Sequence, residues 1–398
     1  MASILGGSRE SERQETRSSL IRMVNPELSV SGRYWVAVRE FLRQHRHDLT
    51  AAAAAEYPPA ARVAGTPLLA RPAWLPDAPI RLPDVQLSFQ PQAAEVGGAA
   101  LDPAVVPDGY LSYARAMREL APPAVFENRV TYRLLDADLA GWPATMGFGL
   151  GRYFDGINAG EAAAHEFAAA RFSGSGLSEP GGGLRASVGD PLRASVGDPL
   201  DLGRRPVNLA ISTLTVRLCR RTGQATFLLH WRDPALVGHA GGMYQVIPVG
   251  VFQPSEDVAG DDASPDFSLW HSIVREYAEE LAGHDEVQGP VDYASWPFAS
   301  QLTAACDSGR IRSWCLGLGV DPLSYAADLL TVVVIDEDVF TDLFGAGVAG
   351  AGNSEGRVLA PRPFTEAVVA RTVERDPLQA AGAAVLRLAW THRAALLQ

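Results

Sequence analysis

A β-branched run that ends in glycine and leads, after a polar interval, into a helix with three glutamates on one flank constrains this chain most. Tyr244–Val251 reads as a strand that contains Gly250, and Val251–Ser255 then lead to Glu256. Ser264-Pro265-Asp266 reads as a helix start. Serine can cap a first turn, proline suits the first helical position, and an aspartate there meets the positive end of the helix dipole. Phe267, Trp270, Ile273, Val274, Tyr277 and Leu281 then recur at three- and four-residue steps, which predicts an amphipathic helix ending near Gly283. Glu276, Glu279 and Glu280 fall at i, i+3 and i+4, so they crowd one flank.

Like charges at that spacing repel by about 0.2–0.5 kcal/mol per pair on an exposed helix. A cluster of carboxylate oxygens also suits a hard divalent cation, and Mg²⁺ is held by a few carboxylates, waters and substrate phosphates. Such a metal would neutralise the cluster, polarise a phosphoryl oxygen and activate water. A solvated acidic face is the plainer alternative, because glutamate is a good helix former.

The flanks supply strands. Asn208–Leu218, Ala225–Trp231, Ile311–Leu318 and Leu329–Ile335 are β-branched or apolar runs, with a turn at Arg221-Thr222-Gly223. Strands, a helix and further strands predict an α/β architecture.

Gly250 and Glu256, followed by Arg275-Glu276-Tyr277-Ala278-Glu279-Glu280 and Gly283, resemble the box of the Nudix hydrolase superfamily over residues 204–345. The halves are set further apart than in the family by Asp257–Val274, with Gly260-Asp261-Asp262-Ala263 suited to loop out. The box also departs at Leu281-Ala282, at His284 and at Val249. The resemblance implies a Nudix-like α/β/α sandwich with a mixed sheet and hydrolysis of a phosphoanhydride in a nucleoside diphosphate-linked substrate. It implies that Glu276, Glu279 and Glu280 bind Mg²⁺ or Mn²⁺ with support from Glu256, and that Arg275 pairs with Glu256. More loosely, the whole chain resembles actinobacterial proteins that carry a Nudix-like module, some labelled regulators.

Composition narrows the field. Lysine is absent, which excludes Schiff-base and P-loop lysine chemistry. The net charge of −12 argues against nucleic acid as a general partner. Cys219, Cys306 and Cys315 lack metal-ligand spacing, and an odd number in a large chain reads as reduced and cytoplasmic. No signal peptide is apparent, and no apolar run approaches the roughly 20 residues of a membrane-crossing helix.

The expected organisation is a polar, disordered segment 1–26, an N-terminal α+β region 27–172, a loop 173–203, the Nudix-like region 204–345, and a C-terminal tail and docking helix 346–398. Helices are expected at Tyr34–Ala55, Gly109–Leu120 and Gly160–Phe172, a strand at Val130–Leu135, and a last helix from Asp376-Pro377 to Leu397. Trp74, Leu75 and Phe89 mark the Pro-rich 57–108 segment as arms packed on a body. Glu161, His165 and Glu166 lack the second histidine of a zinc-protease helix and read as a core or surface group. Phe148-Gly149-Leu150-Gly151 and Leu316-Gly317-Leu318-Gly319 read as tight turns. Leu184–Pro191 and Leu192–Pro199 are the same eight residues in tandem, read as a duplication tolerated in a surface loop.

Three functional readings follow. The first is the metal-dependent hydrolase, with His230, Asp233 and His284 as weak general-base candidates. The second is a catalytically inactive Nudix-fold module that senses a nucleotide-like small molecule or binds a regulatory protein partner. The third is an assembly protein with a vestigial box. Homo-oligomerisation fits any of them, and substrate identity is set by loops that sequence does not rank.

Overall fold

The computed structural model describes residues 28–90, 105–123, 126–172, 191–233, 241–256, 265–287, 289–345 and 356–398. Segment 1–26, residues 184–190 of the first copy of the duplication, the Gly260–Ala263 interval and the Ser264 cap lie outside the described residues.

In chain order the strands are β1 (Ile80–Arg81), β2 (Gln86–Phe89), β3 (Val130–Asp138), β4 (Thr145–Arg152), β5 (Leu209–Cys219), β6 (Gln224–Phe227) and β7 (His230–Arg232). They continue with β8 (Tyr244–Gln245), β9 (Val249–Val251), β10 (Ile311–Val320), β11 (Ala327–Asp336), β12 (Gly356–Val358) and β13 (Arg362–Pro363). The architecture is α/β with mixed pairing. The main sheet runs β1-β10-β11-β5-β6-β13, and β9 also joins β5. β5 and β11 are parallel, in register from Leu209↔Ala327 to Leu218↔Asp336. The other pairs of this sheet are antiparallel. Two three-stranded sheets, β2-β4-β3 and β12-β7-β8, flank it.

Every residue of β11 is buried, so both faces of that strand are covered, which is why it reads as an unbroken apolar run rather than an alternating one. Helices Leu269–Glu280, Pro297–Asp307, Glu337–Phe344 and Ala380–Thr391 pack on this sheet. One apolar core includes Trp35, Trp74, Tyr132 and Phe148 together with Leu214 and Val332, so residues on either side of 173–203 share it. Tyr132 N–H donates to Phe252 O (3.0 Å) and Leu134 N–H to Val207 O (2.9 Å) across the same boundary. Among the described residues, no helix is long and apolar enough to cross a membrane.

Several elements depart from the sequence expectation. Ala225–Trp231 is two strands, β6 and β7, in different sheets, and Tyr244–Val251 splits into β8 and β9 around a cis Ile247-Pro248 bond. Proline has no ladder donor, so a strand does not run through it. Both Gly-x-Gly pieces lie inside strands β4 and β10, not in turns. At Gly319 a Cβ would meet Leu68 Cδ2 at 2.3 Å, and at Gly317 it would meet Trp74 O at 2.9 Å. These glycines are where the Pro-rich arm lies against β10, and Trp74 is buried there. Helices Pro297–Asp307, Glu337–Phe344 and Glu366–Arg375 were not expected. The last of these leaves Asp376 to pair with Arg362, so the next helix begins at Ala380 and runs to Thr391. The second copy of the duplication is not a surface loop: its Leu192–Val196, with Pro191 from the end of the first copy, forms helix Pro191–Val196, in which Leu192, Arg193 and Val196 are buried.

Candidate functional site

The acidic helix begins at Leu269, four residues later than Pro265. Ser268 is its cap, accepting from His271 N–H at 3.3 Å. Asp266 is engaged elsewhere: it accepts Ser255 N–H (2.8 Å), Ser255 Oγ–H (2.6 Å) and the Tyr293 hydroxyl. The apolar stripe faces the sheet, burying Leu269, Ile273, Val274 and Tyr277. Tyr277 Oη lies 2.8 Å from Thr215 Oγ1 on β5, and that hydroxyl donates to Ile247 O at 2.6 Å. These bonds set the helix beside β9.

That placement brings Glu276 and Glu280 against Gly250 and Val249. Glu280 is buried, and its Oε1 accepts Val249 N–H at 3.3 Å. A Cβ on Gly250 would fall 1.8 Å from Glu276 Oε1, so the Glu276 carboxyl occupies space that only glycine leaves open. Glu279 lines a small cleft with Glu276, Arg275, Arg129 and Glu286. Arg129 and Glu286 form an ion pair in it.

Arg275 and Glu256 are not brought together as the resemblance implied. Arg275 Nη1 lies 2.9 Å from Asp266 Oδ1 and its Nη2 donates to Gln253 O at 2.5 Å. Glu256 is exposed and is not among the cleft-lining residues. The physical reason is reach: Ser255 binds Asp266 through both backbone and side chain, and this brings Asp266 rather than Glu256 to the guanidinium. Burial opposes ionisation of Asp266, but the bonds from Ser255 and Tyr293 and the Arg275 charge hold its pKa below the ordinary value. Burial pushes the Tyr293 phenol up, and its ring stacks on His271 with centroids 3.8 Å apart.

The cleft holds about 20 Å³, room for about one water. Small-molecule pockets span roughly 300–1,000 Å³. Among the described residues no group of three or more His, Cys, Asp or Glu side chains is gathered so as to hold a metal ion. The expected set of Glu256, Glu276, Glu279 and Glu280 therefore does not fit Mg²⁺ or Mn²⁺ as placed: one member is exposed outside the cleft and another is buried against β9.

The general-base candidates lie elsewhere. His230 is buried in β7, and the His284 ring packs 5.3 Å from that of Phe298. Neither they nor Asp233 lines the cleft. Glu161 is buried with Arg39 and Arg46, and Glu166 accepts two amides of the 191–196 helix. His165 stacks on Trp35 and bonds the Tyr113 hydroxyl at 3.2 Å, a satisfied core histidine at Nδ1. Sequence reasoning missed Asp266 as the arginine's partner because it read that residue as part of a helix start. Arg129 and Glu286 carry no local signal at all. No known family model and no curated protein matches this chain.

Proposed function

We propose that this chain is a Nudix-like module that works by binding rather than by turnover, as a sensor or regulator for a phosphate-bearing, nucleotide-like ligand. The observation that carries the reading is the dispersal of the expected ligand set. Glu280 serves β9, Glu276 covers Gly250, Arg275 is joined to Asp266, and Glu256 faces solvent. Motif residues used to join a helix to a strand are placed for stability and shape. The Arg129–Glu286 pair is partly exposed and therefore weak. A ligand phosphate that takes Arg129 from Glu286 would open the cleft and transmit occupancy to the 281–287 segment.

The test is a thermal-shift titration with Mg²⁺ and Mn²⁺, alone and with a panel of nucleoside diphosphate-linked compounds, alongside a phosphate-release assay. The binding reading expects stabilisation by a panel compound, independent of metal, reduced in Arg129→Ala, with no release of product. Metal-dependent product release that disappears in Glu279→Gln would overturn it. That outcome would establish the second reading, a divalent-metal-dependent phosphoanhydride hydrolase, which the meeting of Gly250 with Glu276 and of Val249 with Glu280 favours.

A further inference from the structure

The second copy of the tandem repeat is held by contacts that its first copy can reproduce residue for residue. Leu192 and Val196 are buried. Leu192 N–H and Arg193 N–H donate to the two carboxylate oxygens of Glu166, at 2.9 and 3.0 Å. The Arg193 guanidinium donates to Leu323 O and Pro322 O, both at 3.0 Å, between the rings of Phe167 and Tyr325 at 4.7 and 4.8 Å. Gly197 ends the turn at φ +65°, Asp198 accepts Leu200 N–H at 2.9 Å, and Pro199 O accepts from Arg205 at 3.2 Å. Each of these residues from Leu192 to Leu200 has an identical residue eight positions earlier, from Leu184 to Leu192.

We infer that the berth formed by Glu166, Phe167, Pro322, Leu323 and Tyr325 accepts either copy of this segment within one chain, so that the chain has two docking registers. The geometry permits the shift. Moving to the first copy leaves residues 173–183 to connect Phe172 with the docked leucine. Eleven residues reach up to ~36 Å when extended. Glu166, less than two helical turns before Phe172, already touches the docked amides, so the required span is short. The eight displaced residues then loop out before Asp201, and loop entropy depends only weakly on such a change of length. The registers are not equal. Pro191 precedes Leu192 as the first helical residue, where its fixed φ is favourable, whereas Gly183 precedes Leu184. That difference favours the second copy, the one the structure docks.

The experiment compares Arg193→Ala in the full chain and in a variant lacking residues 183–190, which removes one repeat length but keeps Pro191 before Leu192, with Arg185→Ala as control, by thermal unfolding and peptide-level hydrogen exchange. The expected result is that deletion alone and Arg185→Ala leave the melting temperature unchanged. Arg193→Ala then lowers it by several degrees more in the deletion background than in the full chain, with amide protection moving from 192–196 to 184–188. An equal loss in both backgrounds, with protection staying at 192–196, would overturn the inference, as would a large loss from the deletion alone. Should Arg193→Ala not fold without the first copy, Arg193→Lys in both backgrounds gives the same comparison. Protection at 184–188 that rises with protein concentration and accompanies a dimer would also overturn it, by placing the first copy in the berth of a second molecule.

Discussion

Two helices in this chain carry acidic residues near each other, and the protein employs them differently. At the start of the 162–171 helix, Glu161 is fully committed: it is buried and meets both Arg39 and Arg46 from the 30–54 helix. Beside it His165 is kept neutral, its pKa pushed down to about 3 by burial first and by the Arg39 charge second. The 269–280 helix instead sits along a seam, half in and half out. Its glutamates meet a backbone amide, a glycine and a small polar cleft. The lesson is that spacing places carboxylates on one face, but what they do depends on partners that arrive from elsewhere in the chain. Distant arginines turn one group into core, and nearby backbone turns the other into a joint.

The sharpest way to break this comparison is Glu161→Gln. It leaves two buried guanidinium groups facing one neutral amide, and removing one partner of a buried ion pair costs about 3–5 kcal/mol. Denaturant unfolding measures it, and a loss below about 1 kcal/mol would mean that the N-terminal cluster is no more committed than the seam. Next comes Gly250→Ala, whose new methyl collides with the Glu276 carboxyl. Overpacking of this kind costs about 1–3 kcal/mol. Adding Glu276→Ala should restore most of that stability, a coupling that only residues in contact show.

A third prediction concerns pH. Asp328, on β11, has a pKa raised to about 7, chiefly by burial, with the Ser212 hydrogen bond opposing and the Asp321 charge adding to it. An acid that is harder to ionise when folded contributes stability fully below its unfolded value of about 3.9. That contribution declines as pH rises and is lost above about 7. Asp328→Asn should therefore flatten the fall in melting temperature between pH 4 and 7, roughly the interval between those two values. The smallest expected effect is that of Glu279→Gln, within about 0.5 kcal/mol by thermal unfolding, since it removes one charge from a partly exposed flank.

Much of the central architecture was legible. The runs at Leu329–Ile335 and Asn208–Leu218 became the parallel pair, and the apolar stripe from Ile273 to Tyr277 faces the sheet. Local periodicity and burial agree there. The positions that misled were those where a distant partner decides. Asp266 looked like a helix start until Ser255, Tyr293 and Arg275 claimed it. Gly317 and Gly319 looked like turns because nothing in their neighbourhood announces an arm passing over the strand. The repeat looked like a loop because its small polar residues hide the arginine that two aromatic rings receive.

The parallel pairing of β5 with β11 has a consequence in time. Leu209 waits for Ala327, and β9 and the acidic helix, both of which pack on β5, lie between them in the chain. Non-local strand pairing pays its loop-closure entropy before contacts repay it, which makes such sheets slow to form. On a ribosome β9 and the acidic helix would emerge long before their platform is complete. Phe252 and Tyr277, fully buried at the end, would spend that interval in water, where a chaperone has its best chance to engage them.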